Sequence, residues 1–296
     1  MIFGTYFEKY SDAHQGVKTV SSLKLESWKH RQFWRYLQSQ AFKGDELQVK
    51  REHVQDYLAH LNRQSLSENT CWSYLACIRP FYEYAVKENW IYYSPFLGVR
   101  LPKRKVEVSK VLNVSQMKEL LEAPDLSTVT GLRDKIMMEL MYSCGLRRSE
   151  VCALKTDDLA EDYRSLKVMG KGNKEAVLPV GKIAAHYLKH YLEQVHFSFN
   201  RLKSPHVFLS TFKRTPLSDG QVQRMVKSYA DKLGLSGISP HVFRYSIATH
   251  LDEEGVDIRY IQEFLRHECI STTSRYIKQG FHRLQQVHKR THPSSL

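Results

Sequence analysis

The stretch that decides the fold reads Ser165-Leu166-Lys167-Val168-Met169, then Gly170-Lys171-Gly172-Asn173-Lys174, then Glu175-Ala176-Val177-Leu178-Pro179-Val180. Two short runs, Ser165–Met169 and Ala176–Val180, flank a turn rich in glycine and lysine, a pattern that predicts a β-hairpin. It is the one clear β signal in a chain of 296 residues. The sheet must therefore be small, and helices must build the rest. Upstream, Ser115 is a candidate N-cap for a helix carrying Met117, Leu120 and Leu121, and an apolar helix follows from Leu132 to Tyr142. Cys144-Gly145-Leu146-Arg147 then turns sharply, Gly145 being the residue type that closes a helix, and another helix starts near Arg148. Downstream, helices are expected over His241–Glu254 and Asp257–Arg266, parted by Gly255, with a short last one beginning near Ser271. Helices, a small antiparallel sheet and helices again make a mixed α+β domain.

The first hundred residues read as all-α. Ser65-Leu66-Ser67-Glu68 is a possible capping box, and Cys71, Leu75, Ile78, Tyr82 and Ala85 recur at helical spacing as far as Asn89. Leu23–Gln38 and Arg51–Asn62 repeat the pattern, so a small helical bundle is expected. Between Ser94 and Lys110 the periodicity fails at Pro95, Gly98, Pro102 and the basic run Lys103-Arg104-Lys105. The expected organisation is a helical domain over 1–102, a basic linker over 103–110 and the α+β domain over 111–296.

The chain carries 44 Lys plus Arg against 31 Asp plus Glu, a formal charge of +13. With 42% hydrophobic and 25% charged residues it is neither a disordered polyelectrolyte nor a membrane protein by composition. The excess points to an acidic partner, nucleic acid ahead of an anionic membrane surface. No signal peptide or membrane span is readable. Five dispersed cysteines without C-x-x-C read as reduced packing residues of a cytosolic protein, and no metal-ligand spacing such as H-E-x-x-H occurs.

Three local patterns are ambiguous when taken singly. His241 and Arg244, at i and i+3, share a helix face and could grip a phosphate or simply start a solvated helix. Lys171 is a hairpin-tip amine or a plain turn residue, and Arg147 follows the helix-closing glycine without declaring a role. Taken in order with their flanks, they acquire a meaning. Gly131-Leu132-Arg133-Asp134 through Cys144-Gly145-Leu146-Arg147-Arg148-Ser149-Glu150-Val151 resembles the first arginine box of the tyrosine recombinase (phage integrase) family. Gly170–Glu175 is similar to its β-hairpin lysine, and His241-Val242-Phe243-Arg244 to its H-x-x-R box. Phe264-Leu265-Arg266-His267 and Ser271-Thr272-Thr273-Ser274-Arg275-Tyr276 resemble its second histidine and its nucleophile. The resemblance spans nearly the whole chain and is greatest to the compact Xer-type members, with a SAM-like core-binding domain before the catalytic one. Two positions depart from it. Arg266 stands where a glycine is usual, and Tyr245 where a histidine often follows the second arginine.

The resemblance implies site-specific recombination of double-stranded DNA, with Tyr276 attacking phosphorus to leave a 3′-phosphotyrosyl link and no metal, ATP or other cofactor required. Arg147 and Arg244 would clamp the non-bridging oxygens, since a guanidinium fork matches phosphate geometry. Lys171 would protonate the leaving 5′ oxygen, His241 take the tyrosine proton and His267 donate to the phosphate. Glu150 either orients Arg147 or is an exposed helix-start carboxylate. Lys103, Arg104 and Lys105 would lie along the DNA backbone. The family's assembly implies a homo-tetramer on DNA with exchanged C-terminal tails, here bearing Phe281, Leu284 and Val287, and leaves room for a second recombinase or an accessory protein. Relaxation of supercoils in the manner of a type IB topoisomerase, or an idle DNA-binding regulator, are the alternatives. Tyr142, Tyr260 and the tryptophans are expected in cores or interfaces, and His250 as a hydrogen-bonded helix histidine.

Overall fold

The computed structural model describes residues 4–102, 110–169, 175–196, 200 and 203–266. The chain divides into two compact units, Met1–Glu107 and Val108–Leu296. The first holds helices α1 (Thr5–Ala13), α2 (Val20–Ser39), α3 (Arg51–Arg63) and α4 (Glu68–Lys87). Helix α4 packs on the other three, presenting the fully buried stripe Cys71, Leu75, Ile78, Tyr82 and Ala85 that its sequence spacing predicts. Its cap is Ser67 rather than Ser65. Ser65 has φ 56° and completes the turn that ends α3, whereas the Ser67 hydroxyl accepts the Thr70 amide at 3.2 Å. Trp34 is buried in this unit, but Trp28 is about half exposed.

Two buried titratable groups act on this bundle in opposite senses. Glu46 lies behind the start of α1, its Oε2 accepting the amides of Tyr6 at 3.1 Å and Phe7 at 3.3 Å; burial pushes its pKa up to about 7. His30 is packed between Phe7 and Phe81, with ring centroids 4.6 and 4.8 Å away, and burial pushes its pKa down to about 3.

The second unit comprises α5 (Val114–Glu122), α6 (Val129–Ser143), α7 (Arg148–Ala153), β1 (Ser165–Met169), β2 (Glu175–Pro179), α8 (Lys182–His190) with a π-helical extension over Tyr191–His196, α9 (Asp219–Lys232), α10 (His241–Glu253) and α11 (Ile258–Leu265). Helix α6 is the axis of this unit. It contacts α5, α7, α8 and α10, and every residue from Gly131 to Met141 is buried. Its charged residues are tolerated there because they are paired, Arg133 with Asp134 at 2.6 Å and Lys135 with Glu139 at 2.8 Å. Asn113, not Ser115, caps α5: Asn113 and Gln116 exchange backbone-to-side-chain bonds at 2.8 and 3.2 Å.

Strands β1 and β2 pair antiparallel from Ser165↔Pro179 to Met169↔Glu175. The second strand begins one residue earlier than its composition suggests, because Glu175 still pairs with Met169. Leu166, Val168 and Leu178 turn into the core. The four described cysteines are free thiols, buried or half-buried. No helix among the described residues is long and apolar enough to cross a membrane.

The stability of the first unit should follow from Glu46 and His30. The folded state binds a proton at Glu46 that the unfolded state releases above its ordinary value, so this contribution grows as pH falls from 7. His30 works the other way, because the unfolded chain takes up a proton below about 6.5 that the folded chain refuses. In Glu46→Gln only the histidine remains, and the unit should lose about 2 kcal/mol between pH 6.5 and 5 while the parent changes little. Urea unfolding followed by tryptophan fluorescence reads this unit selectively, since all four tryptophans precede residue 91.

Candidate active site

The site grows from the end of α6. Gly145 follows the helix in the left-handed region at φ 58°, and a Cβ there would lie 2.7 Å from Leu265 Cδ2. The left-handed backbone calls for glycine, and an added Cβ would in addition press on the end of the Leu265 side chain. The chain can turn back against the last residue of α11, and Leu146 is buried as the next residue in. Cys144 Sγ donates to the Pro179 carbonyl at 3.2 Å, tying the end of β2 to the same corner.

Arg244 is anchored in the gap so formed. It projects from the first turn of α10, is only 4% exposed, and donates from Nη1 to the Gly145 carbonyl and from Nη2 to the Leu265 carbonyl. Arg147, at the N-cap of α7, is the open member of the pair, its side chain 35% exposed. Its backbone amide donates to Glu150 Oε2 at 2.7 Å, its Nη1 to Glu150 Oε1 at 2.9 Å, and its Nη2 reaches the Arg266 carbonyl at 3.4 Å. Glu150 is thus an inward-facing partner of Arg147 and not a solvated helix-start carboxylate. Consecutive carbonyls at the end of α11, those of Leu265 and Arg266, hold the two arginines.

His241 opens α10 one turn before Arg244. The surrounding chain and the charges of Arg148, Arg244 and Arg147 hold its pKa below the ordinary histidine value. Its imidazole is consequently neutral near pH 7, the form that can accept a proton. Arg148 itself is engaged elsewhere, bonded to Gln223 at 3.0 Å and to Asp219 at 3.2 Å on α9. On the far side of α10, His250 makes hydrogen bonds with Tyr142 Oη at 2.9 Å and the Leu112 carbonyl at 2.9 Å. It is a structural histidine with both ring nitrogens engaged, and Tyr142 is its partner. Tyr260, expected in a core or interface, is 68% exposed.

Of the residues singled out from sequence, Arg147, Glu150, His241 and Arg244 meet around the ends of α6, α10 and α11. Lys171, His267, Tyr276, Lys103, Arg104 and Lys105 lie outside the described residues. One member of the cluster was not anticipated as a partner. Arg266 caps α11 in the left-handed conformation, φ 55° and ψ 49°, and its Nη2 donates to Glu150 Oε2 at 2.8 Å. The signal for it was present in the sequence as an arginine standing in a glycine's place.

Residues 110–283 match the model of the phage integrase family, more than half of the chain. The chain belongs to the phage integrase family. Residues 2–106 of this integrase-family chain also match the phage integrase SAM-like domain. It is 35% identical over 248 residues to a protein named tyrosine recombinase XerD from Listeria monocytogenes serotype 4b, covering 83% of each chain. It is 30% identical over 292 residues to the XerD of Staphylococcus haemolyticus, covering 98% of this chain and 99% of that one. Its fold is shared with XerH site-specific recombinase bound to a palindromic difH substrate, at a TM-score of 0.74 and 20% identity over 95% of this chain and 83% of that one.

Gly145 is the position on which this integrase-family corner rests. Gly145→Ala should destabilise the protein by about 1–2 kcal/mol for the left-handed backbone alone, with a further penalty from the contact to Leu265. Urea denaturation followed by circular dichroism measures the sum, and Ser143→Ala, two residues earlier at the end of α6, serves as the mild comparison.

Proposed function

We propose that this protein is a site-specific DNA recombinase that cleaves and rejoins double-stranded DNA through a 3′-phosphotyrosine intermediate. The observation that carries the reading is the convergence of Arg147, Arg244 and a neutral His241 on one corner, with Arg147 turned to solvent. Phosphodiester transfer needs a nucleophile, stabilisation of the extra negative charge on a pentacoordinate phosphorus, and a proton for the departing oxygen. The two arginines supply the charge stabilisation. Each is held by carbonyl or carboxylate oxygens before substrate arrives, so little reorganisation opposes the transition state.

Tyr276 is the nucleophile in this reading. At pH 7 a free tyrosine is ionised to about one part in a thousand, a deficit of roughly 4 kcal/mol. His241 takes the phenolic proton as the Oη–phosphorus bond forms, and the bond from phosphorus to the 5′ oxygen breaks as Lys171 delivers a proton to it. His267 donates a hydrogen bond to the phosphate. The phosphotyrosyl bond conserves the energy of the broken linkage, so the reverse attack by a 5′ hydroxyl reseals the strand without ATP or a metal ion. Glu150 orients Arg147. Residues 1–102 supply core-binding contacts to the DNA, Lys103, Arg104 and Lys105 meet its backbone, and residues 111–296 carry the catalysis. Four protomers act together in the cytosol, on nucleoid DNA, passing C-terminal tails between neighbours. The names of the curated relatives support recombination, and the DNA-bound neighbours, among them a lambda integrase tetramer on a Holliday junction with a TM-score of 0.70, support the assembly.

The test is covalent capture. Incubated with a pool of randomised duplexes and quenched in detergent, the protein should retain DNA of one sequence class on Tyr276, and Tyr276→Phe should retain none while still binding. Two marked copies of the captured site should then exchange strands. Binding without any adduct, or adducts that relax plasmids but never exchange, would overturn the reading. Because neutral His241 is the active form, the acid limb of the cleavage rate should lie below pH 6.5 and move upward in Arg148→Gln, which removes one of the charges depressing it.

A further inference from the structure

We infer that Arg266 is a positioning residue for Arg147, acting by neutralising the carboxylate the two arginines share. The inference rests on the reading that Arg147 grips the scissile phosphate. Three observations carry it. Arg266 occupies a left-handed cap, φ 55° and ψ 49°, where glycine is the favoured residue and an arginine is strained. Its side chain turns inward, 12% exposed against 35% for Arg147, to meet Glu150 at 2.8 Å. The bond falls on Oε2, the same oxygen that takes the Arg147 backbone amide, which leaves the Arg147 guanidinium a single contact on Oε1.

The electrostatic consequence follows from counting charges at this corner. One carboxylate facing one exposed guanidinium would hold it as a closed, compensated pair with little attraction left for a phosphate. With Arg266 behind it, Glu150 is already neutralised, and Arg147 keeps its position while its positive charge stays uncompensated. The remaining tie, Arg147 Nη2 to the Arg266 carbonyl at 3.4 Å, is at the long end of hydrogen bonding and yields readily to a phosphate oxygen. Arg266 is too deep to be the first group an incoming strand meets, so its influence passes through Glu150.

The test uses the full-length protein and a nicked duplex carrying the sequence captured from the randomised pool. At saturating protein, Arg266→Gln should slow covalent adduct formation about ten-fold or more, with duplex affinity by fluorescence anisotropy changed less than about three-fold. Arg266→Lys, which keeps the charge, should recover most of the rate. In a Glu150→Gln background, where no carboxylate needs neutralising, Arg266→Gln should change the rate by less than about two-fold. Arg266→Gly removes the same charge on a backbone that glycine prefers, and should slow cleavage as Gln does while remaining folded. Parental rates in both Arg266→Gln and Arg266→Gly, or the same slowing with and without Glu150, would overturn the inference. Failure of the parent to form any adduct would instead overturn the functional reading, and this inference with it.

Discussion

A guanidinium removed from water must find acceptors or the surrounding structure will not close over it. Arg244, the most deeply buried arginine of the cluster, finds them at the ends of two helices, in the carbonyls of Gly145 after α6 and Leu265 at the close of α11. Helix C-termini leave such carbonyls without intrahelical partners and carry partial negative charge. One side chain therefore satisfies two helix ends, and two helix ends fix one side chain. The left-handed glycine between Cys144 and Leu146 makes the approach possible, and the position of Arg147 at the start of α7 follows two residues later.

The same logic separates the positive charges by task. Arg148, adjacent to Arg147 in sequence, is drawn to Asp219 and Gln223 on α9 and fastens α7 to that helix. Arg133 and Lys135 are consumed by pairs inside α6. Arg147 alone of the central trio with Arg244 and Arg266 keeps a substantial face toward solvent. Its neighbours also act on His241, whose proton affinity falls because cationic groups and packed chain surround it. The arginines gathered at this corner thus also keep the imidazole of His241 neutral near pH 7.

Much of this was readable in the residue order, and the failures have identifiable causes. The stripe Cys71–Ala85 is strongly periodic, so α4 is evident; its cap is harder to place because Ser65 and Ser67 are chemically alike and differ in backbone conformation, Ser65 closing the turn after α3 and Ser67 extended ahead of α4. Helices α1, α8 and α9 are not marked by spacing in the sequence. In α9 the buried residues are few, Val222, Val226 and Ala230, set among polar side chains that weaken the pattern. The place of His250 on its helix suggests a structural histidine, yet its partners Tyr142 and Leu112 lie more than a hundred residues away and no local pattern points to them. Glu150 had two readings in sequence, and only its 10% exposure and its bonds to Arg147 and Arg266 decide between them.

The sequence by itself determined the hairpin, the helical periodicities, the excess of basic residues and the ordered set of chemical groups, because these depend on spacing and residue type along a single segment. Tertiary structure decided which of those groups share a site and in what electrostatic state. Gly145, Arg244 and Leu265 are brought together from three segments, and the charge left on Arg147 depends on a carboxylate three residues away and an arginine more than a hundred residues away. Local propensity carries no information about such distances. Burial does, since it strips away the water that would otherwise screen these charges from one another.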